Sequence, residues 1–204
     1  VQQKLEQLKY WRYYMNQENN LPLPIYRAEP TEVTLFEQAL KTLKVATPRM
    51  IELGCAEAEY SHIFWKATGG TNVCLDILPR QIEVAKKYCP DAEFIHGYVG
   101  EKVHRGEIEE DSHGAQKIPL DSLISESKKV DMLQMDIQGA ELQVSEELKE
   151  KDLYQFIDYL FIAFHDNQLE VMNNIPSNFN IIFNHPKIQH DGLLLARNPN
   201  YEGE

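Results

Sequence analysis

Four polar residues and a glycine stand at or near the ends of short apolar runs, and their types narrow the chemistry open to this chain. Glu52 and Gly54 belong to Met50-Ile51-Glu52-Leu53-Gly54, Asp76 follows Asn72–Leu75, Asp136 follows Val130–Met135 and His165 follows Tyr159–Phe164. If these runs are parallel strands, their carboxyl ends share one crevice, which is where open α/β sheets hold their ligands. A histidine at such a strand end is suited to take a proton near neutrality, because its unperturbed pKa lies close to that pH. Asp136 is placed to orient His165, to hold an acceptor hydroxyl or to bind an amino group. The chemistry expected from the pair is removal of a proton from a hydroxyl while another bond forms.

The turn Glu52-Leu53-Gly54-Cys55-Ala56-Glu57-Ala58 has the pattern E-x-G-x-A-x-A. Small residues at alternate positions allow a tight strand-to-helix turn and let a ligand approach the backbone. Asp76, at the end of the next apolar run, is an acid of the kind that accepts the ribose hydroxyls of an adenosine. A dinucleotide site would want G-x-G-x-x-G, with the pyrophosphate on a helix N-terminus. Here Glu57 and Glu59 would repel a pyrophosphate. An adenosine ligand without phosphate and with a positive centre fits better, and S-adenosylmethionine is such a ligand. Tyr98, just past the third apolar run, is a candidate to pack on the adenine or to seal the following loop.

The elements that must position these residues are legible as alternating short apolar runs and helical stretches, the pattern of a parallel α/β sheet. Strands are expected near Met50–Leu53, Asn72–Leu75, Glu93–Ile95, Val130–Met135, Tyr159–Phe164, Asn180–Phe183 and Gly192–Ala196. Helices fit at Tyr60–Thr68, Arg80–Tyr88, Leu120–Glu126, Ala140–Lys149 and Gln168–Asn173. Leu5, Leu8, Trp11 and Met15 recur at helical spacing, and Thr31 offers an N-cap to a second helix carrying Leu35, Phe36, Ala39, Leu40 and Leu43. The expected organisation is a helical cap over residues 1–47 and a cofactor-binding domain over 48–204. The cluster Trp11, Tyr13 and Tyr14 reads as core packing or a homodimer face. The stretch from Val99 to Lys117 is long for a loop in a compact domain and is expected to be a mobile lid or a disordered segment.

Three blocks of this sequence resemble the FkbM-type methyltransferases. Glu52-Leu53-Gly54-Cys55-Ala56-Glu57-Ala58-Glu59-Tyr60-Ser61 is similar to that family's D-x-G-A-N-x-G-x-Y-S/T loop, and Asp76-Ile77-Leu78-Pro79 to its E-P-x-P. Ile118-Pro119-Leu120-Asp121-Ser122-Leu123 and Val130-Asp131-Met132-Leu133-Gln134-Met135-Asp136-Ile137-Gln138-Gly139-Ala140-Glu141 resemble T-L-D-x-L and V-D-L-I-K-M-D-I-E-G-A-E. The resemblance runs from about Met50 to Phe164. It implies a class I Rossmann-like fold with a mostly parallel seven-stranded sheet, an antiparallel last strand and helices on both faces. It also implies S-adenosylmethionine as the cofactor; the residues expected to hold it are Glu52, Gly54, Cys55, Ala56, Tyr60, Ser61, Asp76, Ile77, Tyr98 and Asp136, and the expected catalytic pair, from its place at the strand ends, is His165 and Asp136.

The sequence departs from the family pattern at Ala56, Ala58 and Gln138, the last standing where an acid is usual, and Ala163-Phe164-His165 replaces an E-x-H. The expectation is therefore catalysis without a metal, with a magnesium site at Asp136, Asp166 and Asn167 as the lesser alternative. His96, His104, His113, His185 and His190 lack the close spacing of a zinc site.

Composition removes other classes. The chain has 204 residues, 43% hydrophobic and 25% charged, with a formal net charge of −12, so it is neither disordered nor membrane-spanning and is poorly suited to a phosphate backbone. Cys55, Cys74 and Cys89 read as buried thiols of a reducing compartment. The start, Val1-Gln2-Gln3-Lys4-Leu5-Glu6, has no secretory pattern, and the expected location is cytoplasmic. The lack of an initiator Met suggests processing or a domain of a longer chain. The leading expectation is O-methylation of a small molecule or sugar, such as a bacterial glycan or glycosylated metabolite. The alternatives are a catalytically silent cofactor-binding domain docked in a larger assembly and, less favoured, a nucleotide-dependent oxidoreductase.

Overall fold

The computed structural model describes residues 30–100, 114–165, 167–185 and 192–201. The amphipathic stretch Leu5–Met15, the aromatic cluster Trp11, Tyr13 and Tyr14, residues 101–113 of the expected lid, Asp166 and His190 lie outside them.

Helix α1 (Pro30–Leu40) leads into β1 (Arg49–Leu53), α2 (Glu59–Thr68), β2 (Thr71–Asp76), α3 (Pro79–Tyr88) and β3 (Glu93–Tyr98). After a two-residue strand β4 (Gln116–Lys117) come α4 (Leu120–Leu123), β5 (Val130–Met135), α5 (Glu141–Glu150) and a 3₁₀ turn (Leu153–Phe156). The chain then runs through β6 (Ile157–Phe164), α6 (Gln168–Asn174), β7 (Asn180–His185) and β8 (Gly192–Arg197). The strands form one sheet in the order β4-β3-β2-β1-β5-β6-β8-β7. Its pairings are parallel from β4 through β6, and β8 runs antiparallel between β6 and β7. Parallel strands need crossover helices, which cover both faces of the sheet, so the central strands are apolar almost throughout.

All of β5 from Val130 to Met135 is buried. Because side chains alternate along a strand, Ile51, Leu53, Leu75, Leu133, Met135, Leu160 and Ile162 share a core with Val144 and Leu148 of α5. Met50, Met132, Tyr159, Phe161 and Leu195 meet Phe36, Ala39 and Leu40 of α1 and Ile63 and Phe64 of α2 on the other face. Full burial of such side chains contributes about 1.5–3 kcal/mol each. Helix α1 is thus part of the same core as the sheet.

The sheet has eight strands rather than seven, because Gln116–Lys117, expected to belong to the loop, pairs with Gly97 and Tyr98 at the edge. Helix α1 begins at Pro30, whose missing N–H costs nothing at a helix start, so Thr31 is inside the helix and does not cap it. Helix α4 stops at Leu123, short of the expected Glu126, where Ser125 and Lys128 pair through their backbones at 3.0 and 3.3 Å.

Candidate active site

The β1–α2 turn is built by backbone geometry. Gly54, Ala56 and Ala58 all take left-handed conformations, with φ of 77°, 43° and 57°. A Cβ on Gly54 would fall 1.9 Å from the backbone carbonyl oxygen of Asp136, so only glycine lets the turn cross the end of β5. The same crossing joins the expected cofactor turn to the expected catalytic strand end. Backbone N–H groups of Gly54 and Cys55 both donate to Leu75 O, at 2.9 and 3.0 Å, which ties the turn to β2.

Glu52 lies beneath this turn, 2% exposed, and its Oε2 accepts the Ser61 N–H at 2.9 Å. That N–H belongs to the first turn of α2, where helices have unpaired donors, and Ala58 at the N-cap has no side chain to serve them. Burial pushes the Glu52 carboxyl up to about 8, partly offset by its hydrogen bonds with Ser61.

Asp76, 7% exposed, ends β2. Its Oδ2 accepts the Ala56 N–H and its Oδ1 the Leu78 N–H, both at 2.8 Å. Burial raises its pKa, opposed by hydrogen bonds from the Leu78, Ala56 and Ile77 backbone. A carboxylate offers about four lone-pair sites, so Asp76 keeps capacity for a ribose hydroxyl while part of it already holds the turn. Ile77 is half-buried, and its carbonyl accepts from His96 Nε2 at 3.1 Å.

At the ends of β5 and β6 the structure brings His165 and Asp136 together. His165, 5% exposed, places Nε2 3.3 Å from Asp136 Oδ1. The amide of Gln138 lies between them, its Nε2 3.1 Å from Asp136 Oδ1 and 2.7 Å from His165 Nε2. A carboxylate only accepts, so the amide presents its N–H groups, one to Asp136 and one to the imidazole. On the far side of the ring, His165 Nδ1 lies 2.8 Å from Oε1 of Glu141, which is fully buried.

Tyr60, in the first turn of α2, is buried against α1 and β6. Its ring meets Phe36 and Phe161 edge-on or tilted, with centroids 4.9 and 5.3 Å away, and its hydroxyl donates to Glu32 Oε2 of α1 at 3.3 Å. Burial raises the phenol pKa well above its usual value, and the Glu32, Glu59 and Asp136 carboxylates add to the rise. Ser61 faces inward: it is wholly buried, its hydroxyl accepts from Cys74 Sγ at 3.1 Å and its carbonyl accepts from Asn72 Nδ2 at 2.8 Å. Cys55 is buried beside Cys74, and Ala56 is half-buried in the turn. Tyr98 ends β3 half-buried, and its carbonyl accepts the Ile118 N–H at 2.8 Å. Among the described residues no group of three or more His, Cys, Asp and Glu is arranged to hold a metal ion.

Sequence reasoning did not assign a role to Glu141 or to the amide of Gln138. Glu141 was visible only as the last acid of the Asp136–Glu141 block. Its meeting with His165 depends on how α5 starts beside β6, which no local pattern encodes.

Neither a protein-family model nor a curated protein sequence matches this chain. Solved structures do. A human methyltransferase 10 domain-containing protein superposes with a TM-score of 0.58 at 12% identity, covering 95% of this chain and 93% of that one. An rRNA methylase from Streptococcus thermophilus gives 0.57 at 11% identity, covering 85% and 98%. M. capricolum TrmK, solved with S-adenosylhomocysteine, gives 0.50 at 13%, covering 83% and 70%. The fold is the Rossmann-like fold of the class I S-adenosylmethionine-dependent methyltransferases.

Proposed function

We propose that this protein is an S-adenosylmethionine-dependent O-methyltransferase acting on a hydroxyl of a small molecule or sugar, related to the FkbM-type enzymes, with His165 as the base. The observation that carries the reading is the imidazole of His165, held beside Asp136 at the end of β6, where the Gly54 turn also meets the end of β5. The residues present fit the cofactor: Asp76 retains acceptor capacity for a ribose hydroxyl, and Asp136 offers a carboxylate to an amino group. When bound, S-adenosylmethionine supplies a methyl carbon on a sulfonium, an electrophile strong enough that the protein's part is placement and proton removal.

The chain's own groups divide that work. Asp136 and Tyr60 line the approach, and His165 Nε2 takes the hydroxyl proton once the acceptor displaces the Gln138 amide from it. The carboxylates of Glu32, Glu59 and Asp136 favour a neutral or cationic acceptor over a phosphate-bearing one. The similar rRNA methylase bears on RNA, but a net charge of −12 opposes a polyanion here. Mg²⁺ remains the lesser alternative, resting on Asp136 with Asp166, which lies outside the described residues.

His165→Ala tests the reading, with labelled S-adenosylmethionine and a panel of sugars and polyols. The variant is expected to bind S-adenosylhomocysteine normally and to turn over on the order of 10²–10⁴-fold more slowly, with loss of the rise in rate as pH deprotonates an imidazole. Near wild-type turnover contradicts the assignment.

A further inference from the structure

His165 is held from both ends, Nδ1 by Glu141 and Nε2 by the Gln138 amide with Asp136 alongside. Glu141 Oε1 lies 2.8 Å from Nδ1, and a carboxylate has no hydrogen to give, so Nδ1 carries the N–H and donates. On the other side, the Gln138 amide must present N–H groups to satisfy Asp136 at 3.1 Å, so the nitrogen it meets at 2.7 Å, His165 Nε2, is the one bearing a lone pair. For the neutral ring, Glu141 and the Gln138 amide thus both favour the proton on Nδ1 and the lone pair on Nε2, and Asp136 Oδ1, 3.3 Å from Nε2, is placed to stabilise the ring once Nε2 gains a proton.

Glu141 is itself immobilised. Its Oε1 also accepts the Ile137 N–H at 3.2 Å, and its Oε2 accepts the Gly139 N–H at 2.9 Å. The carboxylate therefore serves two ends: it fixes the Ile137–Gly139 turn, in which Gln138 takes φ 56°, and it fixes the ring that this turn faces. It is fully buried, so its interaction with the ring is little screened by water.

We propose that Glu141 is a positioning residue for the methyl transfer, holding His165 with its proton on Nδ1 and its lone pair on Nε2. The proposal rests on the reading of His165 as the base. As the acceptor oxygen bonds to the methyl carbon and the C–S pair would return to sulfur, the hydroxyl proton passes to Nε2, and the imidazolium so formed keeps its other proton on Nδ1, donated to the Glu141 carboxylate. A residue with that role matters before catalysis, through the tautomer, and during it, through the charge on the ring.

The test is nitrogen-15 NMR of the full chain labelled at its seven histidines, with the His165 signals identified by their loss in His165→Ala. Above the titration of the ring, the wild type is expected to show a protonated Nδ1 and a bare Nε2. Glu141→Leu, which removes the acceptor for the Nδ1–H, should lose that preference and turn over on the order of 10²–10⁴-fold more slowly, while its Kd for S-adenosylhomocysteine moves by less than about threefold. A wild-type ring protonated on Nε2 overturns the proposal even if the variant fails to fold. So does a Glu141→Leu protein that keeps both tautomer and turnover while His165→Ala is inactive. Full turnover in His165→Ala instead removes the base reading itself, whatever the tautomer.

Discussion

At the scale of single residues, the acids of this site are more occupied than their positions in the sequence imply. Asp76 was legible as a strand-end acid, but the backbone bonds it accepts from Ala56 and Leu78 were not, because they depend on where the β1–α2 turn comes to rest. Asp76→Asn removes the charge while keeping one acceptor, and is expected to weaken S-adenosylhomocysteine binding by about 1.5–3 kcal/mol, the worth of a hydrogen bond to a charged group. Isothermal titration of the variant measures this, and unchanged affinity contradicts the ribose assignment. Glu52 has a pH signature. Its folded pKa of about 8 lies above the ordinary 4.5, so between those values the folded state keeps a proton that the unfolded state has released. Stability from this group therefore falls as pH rises across that window, by as much as about 5 kcal/mol in total. Glu52→Gln keeps an acceptor for the Ser61 N–H and has nothing to ionise. Relative to wild type, it should gain stability steadily from pH 5 to 8 in urea unfolding. A difference that stays flat with pH contradicts the buried-acid account.

At the scale of elements, the strands were the most legible part of the chain, because buried parallel strands must be apolar on both faces. The run Val130–Met135 was read with its observed ends, and the other long strands differ by a few residues. Strand β4 was missed because two polar residues carry no periodicity, and their pairing is decided by β3 alongside. The 3₁₀ turn Leu153–Phe156 was missed for a similar reason: its buried Leu153 and Tyr154 fill a gap beside α5, a tertiary fact. The β1–α2 turn was legible as small residues in alternation, but the strain in it was not. Ala56 holds φ 43°, where an L side chain costs about 1–2 kcal/mol, against roughly 0.4–1 kcal/mol that glycine loses through a looser unfolded chain. Ala56→Gly is therefore expected to raise stability by about 0.5–1 kcal/mol. A lower denaturation midpoint in the variant would mean that the methyl group contributes more packing than the turn stores in strain.

At the scale of the whole molecule, topology explains why residues far apart in sequence meet. Strands β1 and β2 carry Glu52, Gly54 and Asp76 to one end of the sheet, and β5 and β6 bring Asp136 and His165 to the same end, because all four run parallel. That convergence was legible once the strands were, whereas the Glu141–His165 contact needed the folded chain. The acidic charge of −12 acts at this scale too, and under the proposed function it would favour a neutral or cationic acceptor. The central claim, an adenosyl site made by the Gly54 turn and Asp76 and adapted to a ligand without a pyrophosphate, is tested most directly by calorimetric titration. The protein is titrated with S-adenosylhomocysteine and, side by side, with NAD. The account predicts saturable binding of S-adenosylhomocysteine and none of NAD at the same concentrations, and NAD binding as tightly as S-adenosylhomocysteine, or more tightly, would contradict it.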